Sequence, residues 1–185
     1  LDSVERVVEH ARPSVVFRLA AQPLVLRGYE DPVGTWRTNV LGTVHLLEAV
    51  RHSPTVRTVV IATTDKVYEN EETGRPFIEG DRLGGHDPYA ASKAATELVV
   101  SSARASFPTT DHGGELRLAT GRAGNVIGGG DWANDRLIPD ILRSFELKES
   151  VMVRNPNSTR PWQHVLEPLS GYLLLTQKLY HNSEE

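Results

Sequence analysis

A tyrosine and a lysine four residues apart are the first pair in this chain whose types and spacing suit catalysis. Tyr89 and Lys93 follow Asp87, a good helix N-cap, and Pro88, which suits a first helical turn. On a helix the two side chains lie one turn apart on the same face. An ammonium nearby lowers the pKa of a phenol, so we expect Tyr89 to act as a general base. A tyrosine and a lysine at this spacing are common on exposed helical faces. The pair therefore indicates a catalytic site only together with the residues around it.

Polar residues follow two predicted strands where α/β enzymes place their ligands. Residues 14–20 are short, apolar and β-branched, which predicts a buried strand that runs into Ala21 and Gln22. Residues 56–62 predict a second strand, which ends in Thr63, Thr64, Asp65 and Lys66. In open parallel sheets the ligand crevice lies at the C-terminal ends of the strands. An ordinary strand-to-loop transition has the same composition, so both interpretations stay open.

The remaining elements follow from helical periodicity. Helices are predicted over residues 2–12, 31–52, 88–107, 136–146 and 166–179, further strands over 116–121 and 151–153, and a long functional loop over 69–87. Asn39 lies among core-facing positions of its helix, where a buried amide needs hydrogen-bond partners. Because strands and helices alternate, we predict an α/β fold with a doubly wound parallel sheet, Rossmann-like, and part of a smaller C-terminal substrate-binding region.

Composition limits the partners that this chain can have. A net charge of −4 over 185 residues gives no basic field for nucleic acid or a membrane surface. Cysteine is absent, which excludes disulfides and thiolate metal sites, and we expect no metal. No apolar run approaches the roughly 20 residues of a spanning helix. We therefore expect a cytoplasmic protein without nucleic-acid or membrane partners. The start at Leu1, inside a helical pattern, indicates a fragment or a processed chain.

The C-terminal third offers groups that suit phosphate recognition. Its glycines, around Asn125, do not form a G-x-G-x-x-G turn between a strand and a helix, so we assign them no pyrophosphate role of that kind. Arg154, Arg160 and His164 lie in an irregular segment, and the planar fork of arginine matches phosphate oxygens. A surface turn with solvated arginines explains this segment equally well.

Taken together, these segments resemble the extended short-chain dehydrogenase/reductase family over nearly the whole chain. The segments that carry the resemblance are Leu19-Ala20-Ala21-Gln22, residues 38–43, Thr64-Asp65 and Tyr89-x-x-x-Lys93, in family order and at family-like separations. Residues 64–70, 84–89, 124–132 and 160–165 resemble the members that act on CDP-glucose. The resemblance implies NAD as cofactor and a nucleotide sugar, CDP-glucose, as substrate.

The reaction implied by the resemblance is the loss of water from the sugar. The sugar is oxidised transiently at C4, water is eliminated across C5 and C6, and the hydride returns to C6. Tyr89 takes the C4 hydroxyl proton while Thr64 hydrogen-bonds the same oxygen. Asp65 protonates the leaving C6 oxygen, which asks for a raised pKa. Lys66 stands where sister enzymes have a glutamate that resembles a C5 base, so the identity of that base stays open.

The resemblance also implies the binding residues. Lys93 lowers the Tyr89 pKa and holds the nicotinamide ribose, and Asn39 completes the polar network around Lys93. The cofactor residues implied are Leu19, Ala20, Ala21, Gln22, Asn39, Thr63, Tyr89 and Lys93. The substrate residues implied are Asn125, Arg136, Arg154, Arg160 and His164. Arg18 stands where the family usually has histidine, and a surface-facing position is the simple explanation.

Domain organisation and assembly follow by the same analogy. Residues 1–122 are expected to form a partial NAD-binding domain without its N-terminal Gly-rich unit, and residues 123–185 to supply substrate-binding segments interleaved with the last Rossmann elements. Helices 31–52 and 88–107 resemble the pair through which family members dimerise as a four-helix bundle, so we expect a homodimer. The alternatives are another epimerase or dehydratase of the family, or a non-catalytic fragment of one.

Overall fold

A three-stranded parallel sheet organises the structure, a computed structural model that describes residues 1–181. Its strand order is β1 (Val15–Arg18), β2 (Thr58–Ala62) and β3 (Arg117–Gly121). In the register, Arg18 lies beside Ile61 and Ala62 lies beside Gly121. The C-terminal ends of all three strands therefore meet at one edge of the sheet, which is where ligands bind in parallel α/β folds.

Helices cover both faces of this sheet. On one face, α1 (Asp2–Ala11), α4 (Gly42–Arg51) and α5 (Pro88–Ser106) enclose the core with β2 and β3. The buried core residues are Val8, Leu47, Ala49, Val50, Val56, Val59, Ile61, Val100, Leu116 and Leu118. Side chains alternate along a strand, so Val60 faces the other side, where α7 (Leu166–His181) packs on β2 and β3. The predicted Rossmann-like parallel α/β fold is confirmed.

The helix predicted over residues 31–52 is interrupted. It consists of α3 (Pro32–Trp36), a π-helical turn (Arg37–Leu41) and α4, and a short helix that was not predicted, α2 (Val25–Glu30), precedes it. A π-helical turn holds more residues than an α-helical one, so it rotates the residues before it relative to those after it. This geometry buries Asn39 completely and leaves Trp36 and Val44, two apolar residues of the predicted helix, exposed.

Two short strands form a second, parallel sheet near the C-terminus. These are β4 (Asn125–Ile127) and β5 (Trp162–His164), with α6 (Leu137–Leu147) between them in the chain. Neither was predicted, because three residues are too few to show a periodicity. The strand predicted over residues 151–153 is wrong: that segment has no regular secondary structure, and Met152 is largely exposed.

The other predicted elements are confirmed to within a few residues. A single 3₁₀ turn (Asp65–Val67) follows β2, and the long loop before α5 has no helix or extended strand. Among residues 1–181, no helix is both long and apolar enough to cross a membrane. The division into two regions at residue 122 stays a prediction.

Candidate active site

Tyr89 lies buried at the start of α5, as the N-terminal signals predicted. The Asp87 carboxylate accepts a hydrogen bond from the backbone N–H of Ala90 at 2.9 Å and caps the helix, and Pro88 occupies its first turn. This cap fixes the first turn, and with it the phenol, against the end of β2. There the Thr64 side chain hydrogen-bonds the phenol.

The charge state of Tyr89 differs from the one expected. Burial raises the pKa of Tyr89, the Thr64 hydrogen bond lowers it, the Asp65 carboxylate raises it and the Arg136 guanidinium lowers it. The net direction is upward, so the expected fall in pKa is wrong for this structure. The reason is that desolvation of a phenolate, together with the Asp65 and Asp87 carboxylates, outweighs the Thr64 hydrogen bond and the Arg136 guanidinium.

Lys93 is turned toward the strand end beneath Tyr89. It is only 3% exposed, and its Nζ donates a hydrogen bond to the carbonyl oxygen of Ala62, the last residue of β2, at 2.9 Å. Burial lowers the pKa of Lys93 to about 8; the Arg18 guanidinium lowers it further, and the Glu97 carboxylate opposes this. The pKa of Lys93 therefore lies well below that of an ordinary lysine.

Thr64, Asp65 and Lys66 surround the same phenol. The Thr64 hydroxyl donates to Asp65 Oδ1 at 3.1 Å and accepts the backbone N–H of Lys66 at 3.4 Å. The Lys66 ammonium lies 5.9 Å from the centroid of the Tyr89 ring. Four of the predicted catalytic residues thus meet at the end of β2, and the fifth, Lys93, hydrogen-bonds the last residue of that strand.

Asp65 connects this cluster to the second sheet. Its backbone N–H donates to the carbonyl oxygen of Ala123 at 3.0 Å, and its carboxylate lies next to Gly124. A side chain at Gly124 would also meet Pro161, which precedes β5. The absence of a side chain at position 124 therefore lets β4 and β5 approach the 3₁₀ turn after β2 closely.

The predicted cofactor residues of β1 and the π-helical turn are linked to each other. Asn39 Oδ1 accepts the backbone N–H of Gln22 at 2.9 Å, and its Nδ2 donates to the Gln22 carbonyl at 3.1 Å and to Ser92 Oγ at 2.9 Å. Asn39 thus connects the end of β1 to the residue before Lys93, rather than to Lys93 itself. Leu19 and Ala20 are exposed at this edge, which leaves a surface open to a flat ligand.

The predicted substrate residues lie in separate places. Arg136 precedes α6, pairs with Asp131 Oδ2 at 2.6 Å and acts electrostatically on Tyr89. Arg154 is exposed and pairs with Asp135 at 3.0 Å, and Arg160, also exposed, donates to the neighbouring Thr159 carbonyl at 2.7 Å. Asn125 lies on β4 and His164 on β5, and the two are offset by two residues in the register of the sheet. Of these five residues, Arg136 is the one that the structure links to the phenol.

Comparison with known proteins and protein families indicates the family of this chain. A family model, the NAD dependent epimerase/dehydratase family, matches residues 1–184. The chain belongs to this family. It is similar to the CDP-glucose 4,6-dehydratase of Salmonella typhimurium, with 52% identity over 181 residues, which cover 97% of this chain and 50% of that protein. A dTDP-glucose 4,6-dehydratase of Xanthomonas campestris is 38% identical over 106 residues, covering 52% of this chain and 30% of its own.

Solved structures of epimerases have the same fold. The UDP-glucose 4-epimerase of Thermus thermophilus in complex with NAD superposes with a TM-score of 0.79 at 28% identity, covering 95% of this chain and 57% of its own. The UDP-glucose 4-epimerase of Thermotoga maritima gives a TM-score of 0.84 at 22% identity, covering 95% of this chain and 56% of its own. The chain spans about half the length of the curated relatives that it matches over most of its own length. The family resemblance in the sequence is confirmed.

Three further residues of this family member were not identified as parts of the site from the sequence. Glu97 is buried in α5, four residues after Lys93 and eight after Tyr89, so its position on the same helical face was an available signal. Arg18 is buried too, so the expected surface-facing position is wrong. Its Nη2 donates to the Thr38 carbonyl in the π-helical turn at 2.7 Å.

The third residue is Tyr172 of α7. Its ring lies so close to Gly121 that a side chain at that position would overlap it. Burial and the nearby Tyr89 both raise the pKa of Tyr172, so the two phenols are neighbours across the end of β3. Sequence could not assign it, since Tyr172 looks like any aromatic residue of an apolar helix.

Proposed function

We propose that this protein removes water from a nucleotide sugar, CDP-glucose, with NAD as its cofactor. The observation that supports this most strongly is that Thr64, Asp65 and Lys66 surround the buried Tyr89 at the C-terminal edge of a parallel sheet. The family of the chain and its 52% identity to a CDP-glucose 4,6-dehydratase support the cofactor and the sugar nucleotide.

The edge formed by β1 and β2 suits a flat cofactor. Leu19 and Ala20 are accessible, Ala21 adds no bulk, and Gln22 is held by Asn39. Thr63 and the Lys93 ammonium lie at the neighbouring strand end. These residues would hold NAD, with Tyr89 and Lys93 at its nicotinamide ribose. When bound, NAD supplies a hydride acceptor for C4 and a hydride donor for C6.

Tyr89 and Thr64 act together in the proton transfer at C4. Tyr89 accepts the C4 hydroxyl proton, and Thr64 holds the same oxygen by a hydrogen bond. Because burial raises the Tyr89 pKa, formation of the phenolate depends on the cations nearby. Arg136 supplies one, and Lys66 lies over the ring.

Asp65 is the residue of this site that favours a dehydratase over an epimerase. An epimerase needs only a group that moves the C4 proton, whereas elimination also needs an acid for the C6 oxygen. Asp65 shares a hydrogen bond with Thr64, so both groups reach the same part of the sugar. Asp65, in its protonated form, donates the proton to the leaving oxygen, and Lys66, in its neutral amine form beside the ring of Tyr89, is the candidate base that takes the proton from C5.

We infer that the nucleotide diphosphate lies over the second sheet and the start of α6. Arg136 binds a phosphate there, with Asn125, Arg154, Arg160 and His164 as the further contacts. The complete enzyme is a homodimer in the cytoplasm that pairs through the α3–α4 and α5 helices.

A panel of nucleotide sugars tests the activity. The complete protein is incubated with NAD and with CDP-, dTDP-, UDP- or GDP-linked sugars, and the alkali-induced absorbance of a 4-keto-6-deoxy sugar is measured. We expect product with CDP-glucose above all others. An epimer as the sole product, or no product from protein that binds NAD, would contradict the proposal.

A further inference from the structure

Glu97 is a buried carboxylate that joins three segments of the site. It is 6% exposed, and both of its oxygens accept hydrogen bonds. Oε1 accepts the Thr63 hydroxyl; Oε2 accepts the Thr120 hydroxyl at 2.8 Å and Arg122 Nη2 at 3.0 Å. A buried carboxylate with this many donors has a fixed position.

These three donors come from the ends of two neighbouring strands. Thr63 immediately precedes Thr64 at the end of β2, Thr120 lies in β3, and Arg122 follows β3 directly. Glu97 itself is one and two turns along α5 from Lys93 and Tyr89. One carboxylate therefore connects the strand end that carries Thr64 to the helix that carries the phenol.

Arg122 extends this connection to the long loop before α5. Its Nη1 donates to the Tyr68 hydroxyl and to the carbonyl of Glu79, both at 3.0 Å. The guanidinium lies 5.0 Å from the centroid of the Tyr68 ring, and that ring stacks on Phe77 at 4.6 Å. The ion pair with Glu97 thus holds the start and the middle of the loop against the site.

The charge of Glu97 also acts on Lys93. Burial raises the pKa of Glu97, but the hydrogen bonds from Arg122, Thr63 and Thr120 outweigh it, so the net direction is downward and the group is ionised at neutral pH. Arg18 on β1 disfavours the charged form of Lys93, and Glu97 on α5 favours it. The other charged groups near this helix face are Arg122, paired with Glu97, and the groups around Tyr89, which are Asp65, Lys66, Asp87 and Arg136.

We propose that Glu97 is a positioning residue of the active site: it fixes the end of β2 that carries Thr64 against α5, and, four residues after Lys93 on the same helix, it places a carboxylate beside the Lys93 side chain. This inference rests on the proposed function for its effect on turnover. Its effect on Lys93 depends on neither cofactor nor substrate.

The experiment compares Glu97→Gln, Arg122→Gln and the double variant in the complete protein. A buried ion pair is destabilised most when one partner is removed, so the double variant should recover thermal stability relative to Glu97→Gln. Glu115→Gln is the matched control, because Glu115 also pairs with an arginine, Arg117, but at an exposed position. The readouts are the Lys93 titration, followed by NMR of ¹³Cε-labelled lysine and assigned with Lys93→Arg, and kcat.

We expect the Lys93 midpoint to fall by about one pH unit in Glu97→Gln and in the double variant, and to stay unchanged in Glu115→Gln. We expect kcat to fall at least about tenfold in both Glu97 variants, with a pH profile whose alkaline limb lies at lower pH. A purely structural role predicts an unmoved Lys93 midpoint, and a kcat that returns with stability in the double variant; either result would overturn the proposal. If the wild-type protein converts no nucleotide sugar, the proposed function fails, while the Lys93 midpoint still decides the role of Glu97.

Discussion

Tyr89 is the residue on which the proposed chemistry depends most. Its hydroxyl is buried and hydrogen-bonded by Thr64, and burial raises its pKa. A neutral phenol cannot act as the base, so Tyr89 accepts a proton only after nearby cations favour its phenolate form. The catalytic power of the residue therefore lies in its surroundings as much as in its own chemistry.

Replacement of this tyrosine tests its role directly. We expect Tyr89→Phe to lower kcat by about 10²–10⁴-fold while the affinity for NAD changes little, because the ring keeps its packing and only the proton acceptor is lost. Product formation and calorimetry with NAD measure the two effects. Tyr29→Phe, at an exposed position of α2, is the control and should leave kcat unchanged. Retained kcat in Tyr89→Phe would assign the base elsewhere.

The burial of Lys93 affects the free energy of unfolding as well as the proposed chemistry. Its pKa is about 8 in the folded chain, against 10.5 ordinarily. Below pH 8 both states hold the proton, and the folded state carries the full desolvation cost. As pH rises from 8 to 10.5 the unfolded state binds more protons than the folded one, so the wild-type free energy of unfolding rises over this window.

We therefore expect Lys93→Met to be inactive yet more stable than wild type at neutral pH, by about 1–2 kcal/mol. About 3 kcal/mol of desolvation is relieved, and the lost hydrogen bond to Ala62 offsets part of it. The gain should disappear above pH 10.5. Urea unfolding at a series of pH values measures it, with the exposed Lys178→Met as control. A loss of stability that is the same at every pH would show that burial of the ammonium is not costly.

At the scale of elements, the junction between the long loop and α5 places Tyr89. Gly85 has φ 141°, and a side chain there would lie 2.5 Å from the backbone nitrogen of Ala91 in the first turn of the helix. A side chain at position 85 would therefore displace either the loop or the first turn of α5, and both shifts would move the Tyr89 phenol. Gly80, in the same loop, faces open space.

We expect Gly85→Ala to lower the free energy of unfolding by about 1–3 kcal/mol and to reduce kcat, because strain at this turn shifts the start of α5. Gly80→Ala is the matched control and should stay within about 0.5 kcal/mol of wild type. Chemical denaturation and the product assay measure both variants. Equal behaviour of the two would show that the loop, rather than its junction with α5, adapts.

Sequence predicted the elements whose signals are local. The cap at Asp87 and the helical spacing predicted the start of α5, the polar residues after residue 62 predicted the end of β2, and the family resemblance implied that Tyr89 lies near Thr64. The π-helical turn was not predictable, since no residue type marks it and tertiary contacts of Asn39 and Arg18 hold it. The Tyr89 pKa was predicted in the wrong direction because spacing does not report burial.

At the scale of the whole molecule, exposed apolar residues on two neighbouring helices favour self-association. Val33 of α3 and Leu98 of α5 are 68% and 62% exposed, and Trp36 and Val44 add to the same helical unit. The α3 and α5 helices contact each other, so these side chains lie on neighbouring elements of the fold. Exposed apolar patches of this kind mark protein interfaces.

We expect Leu98→Glu to raise the dimer dissociation constant by at least about tenfold, because a carboxylate would be buried in an apolar interface. Val7→Glu is the control: Val7 is 66% exposed, but on α1, outside the expected pair. Sedimentation velocity at several concentrations measures both. Equal effects of the two substitutions would place the interface elsewhere, and a monomeric wild-type protein would exclude the dimer.

The fate of the C4 hydrogen tests the central claim most directly. CDP-glucose carrying deuterium at C4 is incubated with the complete protein and NAD, and the product is analysed by NMR and mass spectrometry. The account predicts loss of water and deuterium at C6 of a 4-keto-6-deoxy sugar, with no such product from Tyr89→Phe. Deuterium that remains at C4 in an epimer, or substrate recovered unchanged from NAD-loaded protein, would contradict it.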